Sequence, residues 1–176
     1  MHDLMHTVHL GVGRDAAAQV AVDLCRLGYQ GDGSLDAQLM MLWLQYRRWC
    51  RKQGLPFSRR RFNSKIMSVF DDYSFPEMNS RTKAAHVQPI LHFLAHRAAL
   101  VCGRNPDDTN AELRSFMISG LADMLHVFDH AGVLLSKSEA SRAEHAGRDF
   151  FLAWACPLYT SDPADDLLRL ASRRRL

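Results

Sequence analysis

The sequence predicts an all-α fold, a helical bundle of five or six helices between Arg14 and Ala155, and three observations support this prediction. Apolar residues recur every three or four positions in successive segments, as on one face of an amphipathic helix. Clusters of glycine, proline, serine and aspartate separate these segments. No stretch alternates apolar and polar residues over a length that demands a strand, except a short candidate at Thr7 to Val12.

Capping residues as well as periodicity predict the first two helices. The first runs from Arg14 to Leu27, and Gly28 provides its C-terminal stop. Ser34 is a good N-cap for the second, whose apolar stripe ends near Gly54. The stripe consists of Leu35, Leu39, Leu42, Trp43, Tyr46, Trp49 and Cys50. Because these residues fall on one helical face, we expect them to pack against the core.

The central region is predicted to alternate links and helices. Residues Leu55 to Phe57 form an extended link because a proline disfavours helix at the residue before it, and Ser58 caps a short helix reaching Phe70. The stretch "DDYSFPEMNS" has the composition of a loop. A longer helix follows from Ser80 to about Cys102, with a kink at Pro89, which lacks a backbone donor.

Two further helices are predicted, from Thr109 to His130 and from Ser138 to Ala155, joined by a turn at Gly132. The expected core draws on all of the longer helices: Val20, Leu24, Leu39, Leu42, Trp43, Tyr46, Leu91, Leu94, Phe116, Leu121, Leu125, Phe128 and Phe151. Replacing Trp43 by aspartate is expected to destabilise the domain by several kcal/mol, because it buries a charge.

Composition is that of a soluble globular domain. The chain has 176 residues, of which 47% are hydrophobic and 23% charged, with a net charge of +3. It has no run of apolar residues long enough to cross a membrane and no basic leader of a secretion signal. Cys25, Cys50, Cys102 and Cys156 lie far apart among apolar neighbours, which is typical of free thiols in a reduced, intracellular protein.

The C-terminal segment interrupts an amphipathic pattern with "LYTSDPADD", Leu158 to Asp166. This string resembles one reading frame of a sequencing-library adapter, Leu-Tyr-Thr-Ser-Asp-Ala-Ala-Asp-Asp, and departs from it only at Pro163. We therefore expect residues 157–176 to be a non-native tail, whose removal leaves the melting temperature unchanged or raises it. The alternative is a natural acidic loop with a basic end.

The chain opens with "DLMH" followed by "LGV". This pattern resembles a segment of transposases of the RNase H-like superfamily, especially CACTA-like element proteins and element-derived proteins of protists. The resemblance implies that Asp3 is a metal-binding carboxylate at a strand end and that His6 is its companion, both as vestiges of a catalytic site. Residues 1–13 would then be the end of a truncated RNase H-like segment, and 14–156 the helical domain, the insertion region of such enzymes.

The same resemblance sets an expectation about chemistry. Such enzymes cut DNA with two divalent ions held by three carboxylates from separate segments. Mg²⁺ is therefore implied for an intact parent enzyme, but we expect no cofactor and no activity in this chain alone. Glu139 and Glu144 are candidates for the third carboxylate. The competing interpretation is that His2, Asp3, His6 and His9 are solvated residues of a frayed terminus.

Positive charge is concentrated in one segment without an acidic residue, and aromatic residues are interleaved with it. Its cations, here called the basic strip, are Arg47, Arg48, Arg51, Lys52, Arg59, Arg60, Arg61 and Lys65. Such a strip can neutralise phosphates of duplex DNA, which would make binding strongly salt-dependent. The alternative is a solvated face paired with acids such as Asp71 and Asp72. The aromatic residues share the apolar period and are expected in the core.

Two histidine pairs, His92 with His96 and His126 with His130, each lie on one helical face. They lack the glutamate and third ligand of a zinc hydrolase motif, so surface histidines are the favoured interpretation.

Two functional hypotheses follow from these patterns. The first is a fragment of a transposase-derived protein with a DNA-facing helical domain and, by the resemblance, a nuclear location. The second is an intracellular helical protein-interaction domain, without nucleic acid or metal, whose basic strip meets an acidic protein.

Overall fold

The computed structural model describes residues 11–57, 60–71, 75–79, 82–132 and 134–155. Within these ranges the chain forms five α-helices and no strand, which confirms the predicted all-α fold. The helices are α1 (Gly13–Arg26), α2 (Leu35–Gln53), α3 (Ala84–Arg104), α4 (Thr109–His130) and α5 (Lys137–Ala155). They belong to two compact units, one ending at Arg104 and the other beginning at Asn105.

The described part of the first unit contains three helices, each of which contacts the other two. Helix α1 is alanine-rich and buried through most of its length, including Ala17, Val20 and Leu24. Small side chains allow the neighbouring backbones to approach closely. Tyr46 of α2 is fully buried, and its ring stacks at 5.6 Å on Phe62 and meets Phe93 of α3 at 5.4 Å.

The capping signals of the first two helices operate as predicted. The hydroxyl of Ser34 accepts a hydrogen bond of 3.3 Å from the backbone N–H of Ala37, which satisfies one of the free donors of the first turn of α2. Gly28, after α1, and Gly54, after α2, have φ angles of 76° and 68°. Only glycine adopts this left-handed conformation without strain, so both residues end their helices where the sequence indicated.

The predicted short helix from Ser58 to Phe70 is wrong. Residues 64–68 form turns instead, and Ser68 has a φ of 53°. The Asn63 side chain accepts a 2.8 Å hydrogen bond from the N–H of Ile66, and the carbonyl of Met67 accepts one of 3.0 Å from the N–H of Glu77. Local side-chain bonding and pairing with a distant segment thus replace the helical hydrogen-bond ladder.

Two helix starts also differ from expectation. Val12 has helical angles (φ −51°, ψ −29°), so the strand candidate at Thr7 to Val12 does not extend to its last residue; residues 7–10 lie outside the described ranges. Helix α3 begins at Ala84, later than the expected Ser80, because Thr82 and Lys83 are not helical. Pro89 lies inside α3, as expected.

The second unit is a hairpin of α4 and α5. Asp108 caps α4 by accepting hydrogen bonds of 3.0 Å from the N–H groups of Asn110 and Ala111. Ser136 caps α5 through a capping box, in which the Ser136 N–H donates to the Glu139 carboxylate at 2.8 Å and the Glu139 N–H donates to the Ser136 hydroxyl at 3.3 Å. The predicted start of this helix at Ser138 is therefore late by one position.

Glycines allow α4 and α5 to pack at close range. A Cβ atom added to Gly120 would lie 2.8 Å from the carbonyl oxygen of Ala146 and 2.9 Å from the backbone nitrogen of Phe150. One added to Gly147 would lie 3.1 Å from the sulfur of Met124. The hairpin therefore depends on the absence of a side chain at Gly120.

Most of the expected core is confirmed, since ten of the thirteen named residues are buried: Val20, Leu24, Leu39, Leu42, Trp43, Tyr46, Leu91, Leu94, Leu121 and Leu125. Phe116 and Phe128 are only half-buried. Phe151 is 60% exposed, and its neighbour Phe150 is fully buried in its place. Adjacent helical residues differ in direction by about 100°, so an error of one position exchanges a core residue for a surface residue.

Three of the four cysteines are described, and all three are free thiols, as expected. Cys25 and Cys50 are buried and Cys102 is half-buried. Burial raises the pKa of the Cys25 thiol to about 12. Burial also raises the pKa of Cys50. These thiols therefore contribute apolar volume to the core and carry little thiolate at neutral pH.

Candidate nucleic-acid interface

Helix α2 positions the first half of the basic strip. Its buried residues Leu39, Trp43 and Tyr46 fix the rotation of the helix against the first unit. The cations lie at the edge of this buried face or beyond it: Arg47 is half-buried, and Arg48, Arg51 and Lys52 are exposed. Arg47 and Arg51 continue the row that begins with Trp43, because residues four apart lie on the same side of a helix.

The segment after α2 supplies the second half. Arg60, Arg61 and Lys65 are exposed, whereas Phe62 between them is only 3% exposed and anchors the segment through its stacking on Tyr46. A hydrogen bond of 2.6 Å from the Ser64 backbone N–H to the Asp36 carboxylate ties the segment to the first turn of α2. This packing brings cations that are separated along the chain onto neighbouring surfaces.

Three arginines converge on two aromatic rings. The guanidinium carbon of Arg47 lies 4.6 Å from the centre of the Trp43 ring and 5.3 Å from that of Phe57. Arg51 approaches Phe57 at 5.9 Å, and Arg61 approaches Trp43 at 5.9 Å. Cations within about 6 Å of a ring face are attracted by its quadrupole. The rings are thus occupied by arginines, and Trp43 is only 5% exposed, so it offers no face for stacking on a base.

Carboxylates do not neutralise most of these cations. Among the residues that the structure describes, no ion pair involves six of the eight: Arg47, Arg48, Arg51, Lys52, Arg61 and Lys65. Arg60 and Asp71 each have further contacts. Arg59 and Asp72 lie outside the described ranges. Within the described ranges these six cations therefore lack a carboxylate partner, and a local excess of positive charge raises the potential for anions.

The predicted catalytic residues Asp3 and His6, and the predicted metal ligand Asp3, lie outside the described residues. The two glutamates proposed as further carboxylates have structural partners instead. Glu139 belongs to the capping box of α5, where hydrogen bonds from Ser136 lower its pKa. Glu144 pairs with Arg148 at 3.1 Å. Within the described ranges no group of three histidine, cysteine or acidic side chains could hold a metal ion.

The histidine pairs lie on exposed or partly exposed helix surfaces. The rings of His126 and His130 are 4.0 Å apart between centres, and Nδ1 of His130 lies 2.8 Å from the carbonyl oxygen of His126. The ring of His96 stacks on Trp49 at 6.4 Å, which places it beside α2.

Helical periodicity did not predict the groove between α4 and α5, which has a volume of about 350 Å³. Asp123, Arg142 and Asp149 line it together with the apolar edge of Phe116. The groove lies beside the close crossing of Gly120 with Ala146, and it depends on helix packing that helical periodicity does not reveal.

Comparison of the chain with models of protein families, with curated proteins and with solved structures gave no match. No helix within the described ranges is both long and apolar enough to span a membrane.

Proposed function

We propose that this chain is the DNA-binding helical domain of a transposase-derived protein and that the basic strip contacts the phosphates of duplex DNA. The observation that carries the proposal is the set of six cations without carboxylate partners among the described residues. Three of them, Arg47, Arg51 and Arg61, meet at Trp43 and Phe57.

Phosphate neutralisation explains how such a surface binds. Each lysine or arginine that approaches a phosphate releases condensed counterions, which makes affinity fall steeply with salt. The aromatic rings are covered by arginines, so the surface contacts the backbone and has little preference for sequence. We expect a Kd on the order of 10⁻⁴ to 10⁻⁶ M at physiological salt.

The resemblance at Asp3 and His6 supports placing this domain within a transposase, and with it a nuclear location. Transposition chemistry needs carboxylates from several segments and two divalent cations. We propose that the described helices contribute DNA contacts rather than the reaction itself. Mg²⁺ then belongs to the intact parent enzyme, and the chain alone is inactive.

Titration of a labelled duplex at several salt concentrations tests the DNA-binding proposal. The variant R47A/R51A/R61A is expected to lower the magnitude of the slope of log K against log salt by about three units, one for each lost phosphate contact. A variant of equal charge, R26A/R104A/R142A, removes exposed arginines elsewhere and should leave the slope close to wild type. Equal slopes for the two variants would remove the basic strip from any specific role in binding DNA.

A protein-interaction function is the second candidate, and one observation favours it. Met41 and Leu44 on α2 are 49% and 42% exposed, in the same row as Arg48. An acidic amphipathic helix could cover the apolar pair and meet the cations. The variant M41Q/L44Q distinguishes the candidates, since it keeps every charge: DNA binding should survive, whereas binding of such a helix should be lost.

A further inference from the structure

We infer that Arg47 is the principal phosphate-binding group of the basic strip, because two aromatic rings hold its guanidinium in place before a ligand arrives. This inference rests on the proposed DNA binding and adds to it a ranking among cations of equal charge. The guanidinium lies 4.6 Å from the Trp43 ring centre and 5.3 Å from that of Phe57. No other described cation of the strip contacts both rings.

The indole ring of Trp43 is firmly placed. Trp43 is 5% exposed on the core side of α2, so the protein interior fixes its orientation. Arg61 approaches the same indole at 5.9 Å, and Arg51 approaches Phe57 at 5.9 Å. Arg47 thus occupies the centre of the cluster, where its Nε is buried without a hydrogen-bond partner. No carboxylate within the described ranges pairs with this guanidinium, so its remaining N–H groups can donate to a phosphate.

Fixation and partial burial of the Arg47 guanidinium should both increase its affinity for phosphate. An exposed arginine or lysine, such as Arg48 or Lys52, loses side-chain conformational entropy when it is immobilised by a ligand. Arg47 has already lost much of that freedom in the folded protein. Partial desolvation also strengthens a charge-assisted hydrogen bond to phosphate. Lysine does not reproduce this arrangement, because it has neither the planar group that stacks nor the fork that binds two oxygens.

Three single variants test whether the placement of Arg47 between the two rings, and not only its charge, increases the affinity for DNA. At constant salt we expect R47A to weaken duplex binding about tenfold, because it removes a phosphate contact whose guanidinium is already ordered before DNA binds. The matched control R48A removes the same charge from the same helix and should weaken duplex binding about threefold or less. Each alanine variant should lower the magnitude of the salt slope by about one unit. R47K should keep the wild-type slope and still lose most of the affinity that R47A loses.

Two further measurements keep the result interpretable. Thermal unfolding of each variant shows whether Arg47 supports the fold, and F57L removes one ring while it retains every charge. If R47A is too unstable to assay, R47K and F57L decide the question, and each should weaken binding at an unchanged salt slope. Wild-type affinity in R47K, or equal losses in R47A and R48A, would overturn the ranking and leave DNA binding intact. Failure of the wild-type protein to bind duplex would overturn both proposals.

Discussion

The carboxylate of Asp36, in the first turn of α2, accepts a hydrogen bond of 2.6 Å from the backbone N–H of Ser64, which follows it by 28 positions. This bond holds the segment that carries Arg61 and Lys65 against the start of α2. The basic strip is therefore assembled by a tertiary contact as well as by helical spacing. Its integrity should depend on a residue that itself carries negative charge.

Replacing Asp36 by alanine should lower the free energy of unfolding by about 1 kcal/mol, the usual net value of such a hydrogen bond. Asp32→Ala is the matched control, because Asp32 is exposed and its removal changes the net charge equally. Chemical denaturation measures both variants. We also expect D36A to bind duplex DNA more weakly than D32A, since only D36A releases the Arg61 segment. Identical stabilities would show that this hydrogen bond contributes nothing.

Replacing Gly120 by alanine should destabilise the α4–α5 hairpin by about 1–3 kcal/mol, the cost of overpacking a tight contact. The clash is with backbone atoms of Ala146 and Phe150, which cannot rotate away. Alanine favours helix over glycine by about 1 kcal/mol, so the clash must exceed this gain.

Two other glycines provide the controls for this substitution. Gly147→Ala should cost less, because the atom it meets is the flexible end of Met124. Gly103→Ala, in α3 with nothing within 4 Å, should be neutral or stabilising. Denaturation followed by circular dichroism ranks the three variants. A Gly120→Ala protein as stable as Gly103→Ala would contradict the close crossing.

Stability should fall at alkaline pH through Cys25. Its pKa is about 12 in the folded protein, against 9.0 for an unperturbed thiol, because burial disfavours the thiolate. Between these values the unfolded chain has lost a proton that the folded chain keeps, so the contribution of Cys25 to stability is complete below pH 9 and declines as the pH rises. Denaturation from pH 8 upward should show a shallower decline in Cys25→Ala than in wild type. Parallel curves would refute this linkage.

The capping box of α5 should make stability depend on acid pH. Hydrogen bonds from Ser136 lower the pKa of Glu139 below its ordinary value of 4.5. The resulting stabilisation is present above that value and is lost as the pH falls through the lower pKa of the folded state. Ser136→Ala should therefore be destabilising at neutral pH, with a difference from wild type that shrinks in acid. Ser141→Ala, exposed within the same helix, is the control and should show no such pH dependence.

Replacing Trp43 by aspartate should destabilise the first unit by several kcal/mol. The indole is 5% exposed, and loss of a buried aromatic side chain alone costs about 3–5 kcal/mol. Arg47 lies beside this position and can offset part of the new charge, but it cannot fill the cavity. The neighbouring variant Leu44→Asp, at a side chain that is 42% exposed, should cost far less. Comparable unfolding midpoints for the two variants would argue against burial of Trp43.

The sequence by itself determined the class of the fold and much of its detail. The limits of α4, the N-cap Ser34 and the glycines that end α1 and α2 were predictable because backbone hydrogen bonding within a helix and at its caps is local. The residues of the basic strip were equally predictable, because identifying them requires only the positions of the charged residues along the chain.

Only the tertiary structure decided how these parts are used. The segment after α2 does not form its predicted helix, because it makes hydrogen bonds with Asp36 and with residues 75–79 instead. In α5, Phe150 rather than Phe151 lies in the core. The close crossing at Gly120 likewise depends on residues that are far apart in the sequence. The placement of Arg47 between Trp43 and Phe57 depends on the rotation of α2 and on the path of the chain after it. Sequence periodicity gives the face of a helix to within about one residue, whereas packing at interior density discriminates differences of a single methyl group. For that reason the cations were predictable as a set, whereas the different surroundings of each cation were not.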